Sequence, residues 1–416
     1  MNQDPGNIAG RCRFCGHPLE HTFVDLGMSP LCESFLAADQ LNCMEPFYPL
    51  RVFVCSECLL VQLLEYVTPD HIFTEYAYFS SYSSSWLQHA KNYAEMITGR
   101  LGLGRDSLVV ELASNDGYLL QNFVAKGIPV LGIEPAKNVA QVAIQKGIPS
   151  VTEFFGRKLA RDLLHNGRQA DLLLGNNVLA HVPDINDFVG GMKILLKAGG
   201  VITMEFPHLL RLVEGNQYDT IYHEHFSYLS LFTTEKVFAA HGLRIFDVEE
   251  LPTHGGSLRI YACHADDSDR PVGERVRELK AREEREGLRG LEYYRGFGEK
   301  VMATKRDLLD FLIHARREGK RIAGYGAPGK GNTLLNYCGI RTDLLEYTVD
   351  RNPYKHGKFL PGTHIPIFPP EKIRETRPDY ILVLPWNLRD EIVAQLAYVR
   401  EWGCRLVLPI PEVAVV

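Results

Sequence analysis

Four cysteines constrain what this chain can fold into more than any other feature. Cys12 and Cys15 lie in RCRFCGHP, and Cys55 and Cys58 in FVCSECLL. Two residues between cysteines let a tight knuckle aim both thiolates at one tetrahedral ion, and two knuckles complete a four-thiolate zinc shell with no open position for catalysis. The expectation is a structural zinc. The 39 residues between the pairs exceed the interval of compact fingers and suit a ribbon whose hairpins are separated by an insertion. A redox pair is the rival reading, but redox Cys-x-x-Cys usually sits beside a βαβ pattern that is missing here. Cys32, Cys43, His17 and His21 could substitute in the shell, but packing or surface exposure is the favoured reading of each.

The 416 residues exceed what one hydrophobic core usually serves. Three domains are expected: a zinc-binding domain over 1–72, a cofactor-binding α/β domain over 73–265, and linking helices with a Rossmann-like α/β domain over 266–416. A net charge of -6 with no long Lys/Arg run argues against a nucleic-acid partner. MNQDPGNIAG lacks a basic stretch followed by an apolar one, and no later stretch holds eighteen uninterrupted apolar residues. With nine cysteines, an odd number, these features predict a cytoplasmic protein with no membrane partner.

After the aromatic and serine-rich segment at 74–86, helical periodicity through Trp86–Leu101 leads to the apolar run Leu108-Val109-Val110 and then to ELASNDGYLL, residues 111–120. A buried strand, a turn of small and polar residues and an apolar-periodic helix form the first β-turn-α of a doubly wound sheet. The next strand, Val130–Ile133, ends in Glu134, 23 residues beyond Glu111. An acid there accepts hydrogen bonds from both ribose hydroxyls of a nucleoside. The strand-loop over 170–184 and the turn-strand over 197–207 continue the alternation. Only Gly117 in the first turn is glycine, so no pyrophosphate cradle is evident. The pattern resembles the class I S-adenosylmethionine methyltransferases. That resemblance brings Ala113 and Asn115 to the methionine portion and Glu134 to the ribose, with Glu111, Asn176 and Asn177 lining the same cleft.

Just downstream, Ile221–Leu229 packs Tyr222, His223, Glu224, His225 and Tyr228 into nine residues. His225 titrates nearest neutral pH and is the expected base. Tyr222, three residues earlier, is suited to donate a hydrogen bond to a substrate oxygen. Glu224 is suited to orient a histidine and fix its tautomer, and His223 reads as structural. Bringing Tyr222 and His225 together at i and i+3 requires a turn or helix. Zincin helices space their histidines as His-Glu-x-x-His, so His223-Glu224-His225 is a poor metal site.

From 266 to 320 the composition turns highly charged, with apolar residues at helical spacing, as in solvated linking helices. The segment GYGAPGKGNT, residues 324–333, contains Gly-x-Gly-x-x-Gly after a short strand, and Asp350 ends a second strand 24 residues after Gly326. It also nearly matches a P-loop, but Gly331 stands where Ser or Thr would hold magnesium. Backbone N–H groups at a helix N-terminus plus one lysine attract phosphate. Gly329, Lys330 and Asn332 are therefore candidates for diphosphate or sugar contacts, with a structural turn as the equal alternative.

In order, the knuckles, ELASNDGYLL, GNNVLAHVPD, YHEHFSYLS and GYGAPGKGNTLLNY resemble the nucleotide-sugar C-methyltransferase family, whose members methylate C-3 of dTDP-linked 4-keto deoxysugars in antibiotic sugar biosynthesis. The match spans nearly the whole chain and is nearest to the D-tetronitrose branch. It implies an S-adenosylmethionine-dependent enzyme, a 3-amino-2,3,6-trideoxy-4-keto sugar as substrate, His225 as base, and His181 and Tyr76 lining the active site. It also implies a last domain that is Rossmann-like yet holds no nicotinamide. A monomer is expected. The alternative is an NAD-dependent nucleotide-sugar oxidoreductase or epimerase using that last domain.

Overall fold

The computed structural model describes residues 10–67, 80–82 and 84–416. Tyr76 lies outside the described residues. Packing gathers the chain into two compact units, each assembled from three stretches: residues 1–20, 55–208 and 226–290 in one, and 21–54, 209–225 and 291–416 in the other.

The first unit is built on a seven-stranded sheet. Its order runs Leu243–Leu251, Ser257–His264, Leu196–Pro207, Ala170–Asn176, Val109–Leu112, Val130–Ile133, Ser150–Val151. The five strands from Leu196–Pro207 to Ser150–Val151 are parallel, and Ser257–His264 is antiparallel to both its neighbours. Val109, Leu172 and Val201 are fully buried under one face, against Ala90, Tyr93, Ala94 and Ile97 of the helix Ser84–Leu101. Each such aliphatic side chain adds about 1.5–3 kcal/mol by leaving water. The chain order reverses beside Val109–Leu112, between Val130–Ile133 and Ala170–Asn176. A doubly wound sheet opens its crevice at that point, outside the carboxyl ends of the strands. The helix expected after the first turn is short, Gln121–Val124. Zinc knuckles and a small antiparallel pair, Val61–Leu63 with Ser227–Tyr228, belong to the same unit.

The second unit carries a six-stranded sheet in the order Ile367–Phe368, Thr348–Val349, Ile322–Tyr325, Tyr380–Val383, Arg405–Leu408, Ala414–Val415, parallel except for the last strand. The antiparallel pair His21–Ser29 and Tyr48–Val54 belongs to the same unit but not to that sheet. The charged stretch is not only a solvated linker. Phe297, opening the helix Phe297–Arg317, stacks on Phe23 at 4.5 Å. In the first unit, Glu283 of the helix Glu274–Arg285 is 1% exposed and accepts from the Leu231 and Phe232 N–H groups, capping the helix Leu231–Ala240.

Candidate functional site

Sγ atoms of Cys12, Cys15, Cys55 and Cys58 all lie within 4.8 Å of one another. Cys12–Cys58 and Cys15–Cys55 are each 3.5 Å apart. A tetrahedral zinc with bonds of about 2.3 Å holds its sulfurs about 3.8 Å apart, so the quartet fits the ion. Each knuckle closes through a backbone bond, Gly16 N–H to Cys12 O and Leu59 N–H to Cys55 O, and each ends in a left-handed residue, Gly16 (φ 74°) and Leu59 (φ 62°). Gln62 Nε2 donates to Cys12 Sγ at 3.2 Å, a bond that steadies a thiolate ligand from outside the shell.

The crevice of the first unit is lined by three loops. In the first, φ is positive at every second position, 53° at Ala113, 50° at Asn115 and 78° at Gly117. Only glycine adopts that conformation freely, and asparagine tolerates it. The turn thus has the backbone of a Gly-x-Gly-x-Gly loop with two of three glycines replaced. Gly117 has no substitute, since a Cβ there would meet Ile148 Cδ1 at 2.2 Å. Glu134 accepts from Asn115 N–H at 2.9 Å and Ala136 N–H at 2.8 Å, one bond per carboxylate oxygen, which leaves each oxygen a second lone pair for a ribose hydroxyl. Asn177 also has positive φ, 54°, and its N–H donates to Glu205 O.

Several buried polar atoms of these loops have no hydrogen-bond partner among the described residues. They are both carboxylate oxygens of Glu111, Asp116 Oδ1, Ser114 Oγ, Asn176 Nδ2 and Asn177 Oδ1. Buried polar groups are nearly always satisfied, so such a cluster is built for a ligand. Acceptors for an ammonium group and an amide donor for a carboxylate fit the amino-acid end of S-adenosylmethionine. Burial, then the charges of Glu134 and Asp116, push the Glu111 carboxyl well above its ordinary range, and burial raises Glu134 against its two backbone bonds. Bound cationic ligand would relieve both.

Beneath the third loop lies a network that sequence reasoning missed. Glu205, 0% exposed, accepts from Arg259 at 2.8 Å and Thr253 at 2.9 Å and bonds His89 Nε2 at 2.9 Å. Trp86 stacks on His89 at 5.0 Å. No spacing rule links residues 89, 205 and 259, so only the fold reveals them. His181 ends the short 3-10 helix Leu179–His181 and is half-buried in the same unit.

In the second unit the 222–225 segment is a tight turn closed by His225 N–H to Tyr222 O at 2.9 Å. It brings the Tyr222 and His225 rings to 4.0 Å, as the i, i+3 argument requires. His225 Nδ1 lies 2.8 Å from Thr220 O. A carbonyl only accepts, so Nδ1 carries the hydrogen and Nε2 bears the basic lone pair. Thr220, not Glu224, therefore fixes the tautomer. The turn sends Glu224 the other way, where Cys32 Sγ donates to its Oε1 at 3.8 Å. Burial, then the charge of Glu33, raise the Glu224 carboxyl to about 8. His223 bonds Pro49 O and meets Tyr48 edge-on; burial lowers its imidazole.

The glycine-rich loop opens the helix Gly329–Cys338. Gly331 is glycine for packing, since a Cβ would stand 3.0 Å from Leu384 Cβ. A Cβ on Gly329 would come within 3.1 Å of Glu33 Oε1. An acid at this helix N-terminus opposes a pyrophosphate there. Asn332 Nδ2 donates to the Cys32 carbonyl at 2.5 Å, and Lys330 Nζ donates to Asn387 Oδ1 at 2.6 Å. Asp350, the acid of the dinucleotide pattern, accepts from Ala327 N–H and Asn352 N–H.

Comparison with known proteins adds the deciding observation. C-methyltransferase NovU of Streptomyces niveus is 37% identical over 417 residues, covering 100% of this chain and 98% of its own. The chain belongs to the C-methyltransferase family. It is an S-adenosylmethionine-dependent C-methyltransferase. The family's C-methyltransferase C-terminal domain matches residues 252–411, a methyltransferase domain 86–248, and a zinc binding domain 12–73. Among solved structures, an S-adenosylmethionine-dependent methyltransferase from Clostridium acetobutylicum is 13% identical, covers 42% of this chain and 91% of its own, and has a TM-score of 0.35. Magnesium protoporphyrin IX methyltransferase from Synechocystis is 17% identical over 42% of this chain and 78% of its own, with a TM-score of 0.32. At those scores neither adds to the family assignment. No helix among the described residues is long and apolar enough to cross a membrane.

Proposed function

We propose that this C-methyltransferase acts at C-3 of a dTDP-linked 4-keto deoxysugar, a 3-amino-2,3,6-trideoxy-4-keto sugar, in antibiotic sugar biosynthesis. The carbonyl at C-4 acidifies the C-3 hydrogen. The C-3–H bond breaks toward His225 Nε2, and its electron pair moves into the enolate, with charge at the C-4 oxygen. S-adenosylmethionine, when bound, would supply the electrophilic methyl group for the enolate carbon, its methyl–sulfur bond breaking to leave S-adenosylhomocysteine.

The observation carrying this reading is the bond from His225 Nδ1–H to Thr220 O, which leaves Nε2 the basic nitrogen. General base catalysis contributes typically about 10²–10⁴-fold. Tyr222, its ring 4.0 Å from His225, would hydrogen-bond the enolate oxygen. Glu224, turned toward Cys32, takes no part in the proton transfer in this reading. His181 and Tyr76 would line the sugar. Glu111, Ala113, Asn115, Asn176 and Asn177 would hold the methionine portion, and Glu134 the ribose. With domains at 1–72, 73–265 and 266–416, the last domain would contribute to nucleotide-sugar binding, although Gly329, Lys330 and Asn332 are themselves packed against Cys32, Asn387 and the Cys32 carbonyl.

Replacing His225 with Asn tests the reading. Solvent exchange of the C-3 hydrogen and methyl transfer should both collapse while S-adenosylhomocysteine still binds. Exchange at the wild-type rate would remove His225 as the base.

A further inference from the structure

Lys330 belongs to the glycine-rich loop, yet its surroundings are not those of a phosphate ligand. Its Nζ donates to Asn387 and lies 4.7 Å over the Trp386 ring. The Trp386 indole donates to Asp219 Oδ2 at 2.7 Å. Asp219 is 0% exposed, and its Oδ1 has no hydrogen-bond partner among the described residues. Burial raises the Asp219 carboxyl to about 6, and the Lys330 charge is the largest influence pulling it back down. Burial lowers the Lys330 ammonium, and Asp219 is the charge that supports it. Tyr218 and Cys338 are the other titratable groups coupled to Asp219, and burial keeps both neutral.

Asp219 stands in the single 3-10 turn Tyr218–Thr220. The last residue of that turn supplies the carbonyl that takes the His225 Nδ1–H. From the helix Gly329–Cys338, whose first turn carries Lys330, Thr333 Oγ1 donates to Ile221 O at 3.0 Å and Cys338 Sγ lies 3.8 Å from the Tyr218 hydroxyl, so the helix grips the same segment twice.

We infer that Lys330 is a positioning residue for His225, acting through Asp219 and the Tyr218–Thr220 turn, and is not a ligand of the substrate diphosphate. This rests on the reading of His225 as the base. Without the ammonium over its ring, the Trp386 indole that donates to Asp219 loses the contact that holds it, and a buried carboxylate that loses its donor and a nearby positive charge either takes up a proton or turns toward water. Either change shifts the turn, and a displaced Thr220 carbonyl no longer selects one tautomer of His225.

The test compares Lys330→Met and Lys330→Arg with wild type by nitrogen-labelled histidine NMR, with His225→Asn identifying the signal, and by calorimetry with dTDP. Lys330→Met should lose the single Nδ1–H signal of His225 and Lys330→Arg should keep it. Turnover of Lys330→Met should fall about tenfold or more with little change in KM, and dTDP affinity should stay within about threefold. An unchanged His225 signal in Lys330→Met, or a loss of dTDP affinity of about tenfold, overturns the inference. If Lys330→Met does not fold, Trp386→Phe removes the indole donor alone, and its His225 signal decides in the same way. Wild-type protein that fails to bind dTDP would sink the nucleotide-sugar reading instead, while the histidine spectra still decide this one.

Discussion

Glu224→Gln should stabilise the protein, and by more as the pH rises. Glu224 is 8% exposed, and its carboxyl is raised from 4.5 to about 8, first by burial and then by the charge of Glu33. A carboxyl whose folded-state value lies above its unfolded one contributes stability that is full below pH 4.5 and is lost as pH rises through 8. Each unit of pH in that window costs about 1.4 kcal/mol. Between pH 5 and pH 8.5 the wild type should lose about 4 kcal/mol that the glutamine variant keeps. Changes in packing caused by the amide are the same at both pH values and cancel. Urea unfolding of both proteins at the two pH values, followed by one probe, gives the difference directly. A gap that widens by less than about 1 kcal/mol would refute the reasoning, because the carboxylate would then have a charge partner in the folded state.

Other outcomes follow from the same geometry. The protein should carry one zinc per chain by elemental analysis; Cys55→Ser should release it, at a stability cost on the order of 10 kcal/mol judged from structural zinc sites. Glu134→Ala removes a buried acceptor of charge-assisted strength and should weaken S-adenosylhomocysteine binding about 10- to 100-fold by calorimetry. Arg259→Met leaves Glu205 buried without its cation and should destabilise the first unit by about 3–5 kcal/mol in chemical unfolding, with the Glu205→Gln double variant recovering part of the loss.

The features legible in the sequence were those that local spacing encodes. The two knuckles announce a tetrahedral site because the chain itself fixes the separation within each pair. The strand Val130–Ile133 was readable from the apolar run ahead of Glu134, whereas the 222–225 segment was open to an extended or a turn reading until the fold closed it as a turn. Long-range partners were not readable. Cys32 reaches Glu224 across 192 residues and Trp386 reaches Asp219 across 167, and no periodicity joins such positions. Glycine counting at 113–117 rightly pointed away from a pyrophosphate cradle but did not show the left-handed backbone at Ala113, which the surrounding fold imposes against that residue's preference. At 324–331 the glycines also have a packing reason, since a Cβ on Gly329 would first meet Cys32 Sγ and one on Gly331 would first meet Leu384 Cβ.

Assembly of each unit from three separated stretches has a consequence for synthesis. On the ribosome the first unit cannot close until residue 290 has emerged, because two strands of its sheet, Leu243–Leu251 and Ser257–His264, come late. The strands His21–Ser29 and Tyr48–Val54 pair with each other early, but the unit they belong to is completed only by residues 291–416. Domains usually fold as units from the N-terminus onward. Here the second unit's early segments must wait until most of the chain is made, and a nascent chain cut short before Arg405 can complete the first unit but not the second.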